Sequence, residues 1–163
     1  MLIDRHGPGN EEKASVDDTS DYKTLRPETL TVSIRRPADV VWDMASDVTR
    51  WPHFVRCVLS ARLVAGGEYH LTSRQQGKVV LRTGFDRDRL ILDHLVILPI
   101  RLAFFHACRL IPNHHGTELI VSSIQRPRES PVDFSSRVDR LRAALDDLRD
   151  VAEAGGVSNV RPG

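Results

Sequence analysis

The sequence predicts an α+β domain: a curved antiparallel sheet of seven strands around a long C-terminal helix, with a short helix pair after the first strand. Three observations carry this. Six apolar-alternating segments follow one another from residue 58 to 124, separated by turn residues at hairpin spacing. One more segment of the same period precedes them at 29–34. A single long amphipathic stretch, 132–154, closes the chain and needs a surface to lie on.

In chain order, "TLTVSI" sets Leu30, Val32 and Ile34 against Thr29, Thr31 and Ser33, the period of a half-buried strand. The period then changes. Pro37 suits a first helical position, and Val41, Met44, Ala45 and Val48 recur on one helical face until Pro52 breaks it. The six later strands are "VLSARLVA", "GEYHLTSR", "KVVLRTGF", "LILDHLVIL", "RLAFFHACRLI" and "TELIVSSI". Between them stand Gly66-Gly67, Gln76-Gly77, Arg87-Asp88, Pro99-Ile100 and "NHHG". In the last helix Val138, Leu141, Leu145, Leu148 and Ala152 form an apolar stripe with Arg and Asp opposite. The domain is expected over 27–154, between flexible tails at 1–26 and 155–163 that are too polar to offset the entropy of ordering.

Composition narrows the partners. With 23 basic and 22 acidic side chains in 163 residues the formal charge is +1, no footprint for nucleic acid or an anionic membrane. No stretch approaches the ~20 apolar residues of a membrane span, and the N-terminus lacks an apolar leader segment. Cys57 and Cys108 stand alone, without metal-type spacing. A cytoplasmic protein acting on a small ligand, as monomer or homodimer, is the expectation. No G-x-G-x-x-G, P-loop, G-x-S-x-G or His-x-x-x-His motif points to a nucleotide, redox cofactor or metal, so no cofactor is expected.

The turns set the registers. A three-residue loop at 99–101 places Leu92 opposite Cys108, His94 opposite His106 and Val96 opposite Phe104. A two-residue turn at Arg87-Asp88 brings Leu81 and Phe85 to the same face and pairs Arg82 with Asp93 on the other. The "NHHG" loop continues the row with Ser123 beside His106 and Val121 beside Cys108. One polar line, Ser123, His106 and His94, thus crosses an apolar lining. These three are either a buried polar network or groups that orient a ligand oxygen and move protons, since histidine titrates near working pH. A metal would need a carboxylate or third histidine that this face does not offer. His114 and His115 belong to a turn, and His70 shares an outer face with Glu68 and Arg74. Trp42 and Trp51 bracket the helix pair, where they either pack the core or close one mouth of a cavity.

The run from Val32 to Val64, "VSIRRPADVVWDMASDVTRWPHFVRCVLSARLV", resembles the START/Bet v 1-like (SRPBCC) helix-grip superfamily, within it the polyketide cyclase/dehydrase and lipid-transport group. Val41-Trp42, Asp47, Trp51-Pro52 and Phe54 carry the likeness. It implies a cavity between sheet and long helix, lined here by Trp42, Trp51, Phe54, Leu81, Phe85, Leu92, Val96, Phe104, Cys108, Val121, Leu141 and Leu145. It implies one of two functions. One is a polyketide cyclase, aromatase or dehydratase with histidine acid/base assistance from His106 and His94. The other is a non-catalytic protein that binds or transports a quinone, lipid or aromatic metabolite. The pocket arginine and tyrosine that such enzymes tend to carry have no counterpart on the predicted inner face, where Arg82 points outward and Tyr69 is the sheet's only tyrosine.

Overall fold

A computed structural model describes residues 24–100 and 102–155; apart from 24–26 and Gly155, the expected tails lie outside the described residues. The elements are β1 (Pro27–Ile34), α1 (Ala38–Ala45), a 3₁₀ helix (Val48–His53), β2 (Val58–Ala65), β3 (Glu68–Ser73), β4 (Gly77–Asp86), β5 (Ile91–Ile97), β6 (Ala103–Asn113), β7 (Gly116–Ile124) and α2 (Pro131–Glu153). All seven strands form one antiparallel sheet in the order β1-β7-β6-β5-β4-β3-β2, and α2 packs against it, nearest β1.

Alternation decides the faces. Leu30, Val32 and Ile34 of β1 turn inward and are buried, as are Leu119, Val121 and Ser123 of β7. The β1–β7 ladder leaves no room at Gly116, where a Cβ would stand 2.8 Å from the Ile34 carbonyl oxygen. The helix pair divides earlier than Pro52 suggests. Ser46 ends α1, and Asp47 caps the 3₁₀ helix by accepting from the Thr49 amide at 3.2 Å, so Pro52 falls inside that second helix. An aspartate there satisfies the amides that a helix start leaves open.

The β5–β6 and β6–β7 registers agree with the sequence: His94 faces His106, Val96 faces Phe104, His106 faces Ser123 and Cys108 faces Val121. The β4–β5 register does not. Phe85 pairs with Leu92 and Thr83 with His94, a shift of two residues that keeps every side chain on its face. The turn is longer because Asp86 accepts from the Arg89 amide and Leu90 adopts φ 55°, spending two more residues before the ladder starts. The expected Arg82–Asp93 pair is therefore absent. Arg82 bonds Glu68 at 2.9 Å, and Asp93 bonds Arg109.

Two apolar clusters fill the interior. One joins β1, β6, β7, α1 and α2; the other joins the 3₁₀ helix to β2–β5, and Trp51, Val55 and Phe85 pack against both. Ser130 starts α2 by accepting from the Asp133 amide at 3.1 Å, with Pro131 at the first position. Arg35 grips Glu153 at 2.7 Å near its end and Arg56 grips Asp147 at 2.6 Å. Both arginines are exposed, so solvent screens each pair, which serves mainly to position the helix. Among the described residues no helix is long and apolar enough to cross a membrane.

Candidate functional site

A cavity of about 240 Å³ lies between the sheet and α2. It is larger than the ~150 Å³ apolar cavity that takes up benzene. Leu81 and Phe85 of β4, Leu92 and Val96 of β5, Phe104 and Cys108 of β6, and Val121 of β7 give it an apolar wall. Phe54, Leu141 and Leu145 close the other side. Of the two tryptophans only Trp51 lines it. Its Nε1–H donates to the Ala45 carbonyl at 3.0 Å, and its ring meets His94 edge-on at 5.8 Å. Trp42 is buried in the core against Phe85, at 6.2 Å between centroids.

The histidines are set by a break in the β5–β6 ladder. Leu98 donates to the Leu102 carbonyl at 2.8 Å, so by alternation Leu92 and Cys108 should also exchange backbone hydrogen bonds. Instead the Cys108 amide donates to Asp93 Oδ1 at 2.8 Å. The Leu92 carbonyl faces His94 Nδ1 at 3.0 Å, and His94 Nε2 lies 3.1 Å from His106 Nδ1. A carbonyl can only accept, so His94 carries its hydrogen on Nδ1 and, as a neutral ring, presents a lone pair on Nε2. His106 must then donate from Nδ1, which leaves its Nε2 as an acceptor. That atom is buried and has no hydrogen-bond partner on the protein, a condition shared among the described residues only with Arg36 Nε.

Burial holds both rings neutral. It lowers the pKa of His94 against the opposing pull of the Leu92 carbonyl, and it lowers that of His106 well below the ordinary imidazole value, aided by His94 and the Arg137 guanidinium. Burial pushes the Cys108 thiol up to about 12 and raises Cys57 as well, so neither thiol that lines the cavity is poised as a nucleophile.

Ser123 is adjacent to His106 across the ladder, yet its hydroxyl accepts from Arg137 Nη1 at 2.6 Å and does not line the cavity. Arg137 was not among the residues expected from sequence. It is buried on α2 and spends four N–H groups on Ser123, the Ile124 carbonyl and both Glu129 oxygens. Its guanidinium lies 4.9 Å from the Phe104 centroid and 5.1 Å from that of Phe134. Arg126 also bonds Glu129, at 2.6 Å, and lies over the other approach to Phe104. Burial would raise the Glu129 carboxyl; the hydrogen bonds from Arg137 and Arg126 bring it down to about 2. The signal for Arg137 is in the sequence: it stands four residues before Leu141 and eight before Leu145, a cation on the helix's apolar face. Tyr69, on the inner face opposite Leu81, packs in the second cluster and does not line the cavity. Among the described residues no group of three or more His, Cys, Asp or Glu side chains is placed to hold a metal ion.

The architecture has solved counterparts. The Zhui aromatase/cyclase from Streptomyces sp. R1128 superposes with a TM-score of 0.68 over 82% of this chain and 99% of its own, at 20% identity. The chain has a helix-grip fold. Ara h 8.0201 shares this helix-grip architecture at TM-score 0.64 and 12% identity, covering 80% of this chain and 99% of its own. A START superfamily protein from Mycobacterium smegmatis does so at 0.57 and 14%, covering 76% and 97%. No family model matches the sequence, and no curated protein matches it. At such identities the helix-grip likeness establishes the fold, and the chemistry rests on the cavity's own residues.

Proposed function

We propose that the cavity binds a hydrophobic or aromatic polyketide-like molecule and that His106 serves as its general base and acid. The single observation that carries this is the unpartnered, buried Nε2 of His106, a residue of the cavity wall set between Val96, Phe104 and Cys108. A neutral imidazole in that setting can take a proton from the activated carbon between two carbonyls of a poly-β-ketone. The resulting carbanion attacks a second carbonyl brought near by the curve of the cavity, and the new alkoxide takes a proton back from His106. Removal of the next acidic proton then expels the protonated hydroxyl as water. The sequence balances without an oxidant: one carbon–carbon bond forms and one water leaves per ring.

His94 keeps the His106 ring in the required tautomer. Trp51 and Phe104 supply flat walls against which a nascent ring can stack. The likeness to an aromatase/cyclase raises the prior for this class through fold analogy alone.

A carrier of a quinone, lipid or aromatic metabolite is the second reading. It is favoured by the engagement of Ser123 and His94 within the protein, which leaves His106 Nε2 and the arginines of the lining to orient a ligand. Turnover separates the two. Wild type mixed with a synthetic poly-β-ketone should release a product lighter by one water per ring. His106→Ala should lower the rate about 100-fold or more while the circular dichroism spectrum is retained. Stoichiometric retention of an unchanged ligand by native mass spectrometry, with no water loss, would select the carrier.

A further inference from the structure

The His94–His106 chain has a directionality that selects among ligands. Each hydrogen bond fixes the next. Asp93 diverts the Cys108 amide, the freed Leu92 carbonyl takes the His94 Nδ1 hydrogen, and His94 Nε2 takes the His106 Nδ1 hydrogen. The chain ends on the unpartnered lone pair of His106 Nε2, on a residue that lines the cavity. Of the arginines that also line the cavity, Arg137 spends four N–H groups on Ser123, Glu129 and the Ile124 carbonyl, and Arg126 is paired with Glu129, so the acceptor at His106 stays without a protein donor.

We propose that the site recognises its ligand through a hydroxyl donated to His106 Nε2, and therefore takes phenols and enols of one or two rings in preference to matching molecules without that hydrogen. A buried acceptor left unpaired is costly, so a ligand that satisfies it gains over one that only fills space. The enol form of a β-diketone presents such a donor, whereas an isolated ketone presents two more lone pairs. Cavity volume sets the size: at about 240 Å³ there is room for a fused bicycle beyond the benzene limit. This specificity rests on the cavity being a ligand site and is independent of whether turnover follows.

β-Naphthol and β-fluoronaphthalene are the probes, since they share a shape and only the first can donate. Calorimetric titration of wild type at neutral pH gives the affinity ratio of the two, and the same titration of His106→Leu gives the reference with the acceptor removed. The expected result is a ratio at least about fivefold more favourable to the naphthol in wild type than in the variant. An unchanged ratio with both compounds bound would overturn the donor rule while leaving the ligand site intact. Absence of binding by either would overturn both readings. Nitrogen NMR of the wild-type histidine rings tests the chain without any variant: His106 Nε2 should be unprotonated in the free protein and shift on adding the naphthol. A hydrogen on Nε2 would overturn the proposal.

Discussion

Glu129 is almost surrounded by cations, with a side chain only 2% exposed between Arg126 and Arg137. Removing its charge strands the Arg137 guanidinium, also buried, without a counter-ion. Breaking a buried pair from one side typically costs about 3–5 kcal/mol. Glu129→Gln should therefore lose about 3 kcal/mol or more in urea unfolding, whereas Asp147→Asn at the exposed, solvent-screened Arg56 contact should leave the urea midpoint nearly unchanged. The pH dependence follows from the same residues. The Glu129 carboxyl has its folded pKa depressed to about 2 from 4.5, so its stabilisation is present above about 4.5 and lost as pH falls toward 2. His106, depressed below 6.5 and faced by His94 and Arg137, acts with the same sign, and its loss begins as pH drops under about 6.5. Stability measured from pH 8 downward should decline in two stages, and His106→Leu should flatten the first. A stability curve that rises between pH 6.5 and 5 would contradict the assignment of a neutral, buried His106.

At the scale of elements, the β5–β6 hairpin joins an outer-face ion pair to an inner-face tautomer. Asp93 and Arg109 pair on the side of the sheet away from the cavity, and the Cys108 amide bonded to Asp93 belongs to the strand that carries His106. Asp93→Ala returns that amide to the Leu92 carbonyl, which then competes with His94. The expected outcome is mixed tautomers at His94 and His106 by nitrogen NMR, and weaker discrimination between naphthol and fluoronaphthalene with little change in overall fold. The β1–β7 ladder makes a separate prediction. A methyl group at Gly116 meets the Ile34 backbone at 2.8 Å, and backbone cannot swing aside as a long side chain can. Gly116→Ala should cost about 1–3 kcal/mol in chemical denaturation.

Across the whole molecule, the sheet and the direction of its inner face were legible because strand period and turn length constrain them redundantly. An error of two residues at the β4–β5 turn displaced Arg82 and Asp93 as partners yet left Leu81 and Phe85 facing the cavity. The left-handed Leu90 that lengthens this turn had no glycine or asparagine to announce it. His94 and His106 were found together because their hairpin has a short loop. The polar partners of Ser123 were not, since Arg137 reaches it from a helix separated from β7 by a six-residue connection, and the angle at which helix meets sheet is a tertiary fact. The tryptophans divide in the same way. Sequence proximity put both near the cavity, and only packing sends Trp42 into the core and Trp51 to the wall. Ligand binding should accordingly quench Trp51 alone, so that Trp51→Phe abolishes the fluorescence response while the emission of Trp42 persists.

Among the described residues the strand order places β1 at one edge of the sheet, paired with β7 alone, with Pro27 opposite Ile124 and Ile34 opposite Thr117. On a translating ribosome, β1 emerges well before β7 and must therefore wait for it before this ladder can form. Meanwhile β2–β7 can zip hairpin by hairpin through local contacts. The closing of the sheet, and with it the burial of Leu30, Val32 and Ile34 beneath α2, becomes a late event set by a loop of some 80 residues or more. Until then the chain carries an unpaired β7 edge and an uncovered cavity, the interval in which a nascent ligand site is most exposed to association with other chains.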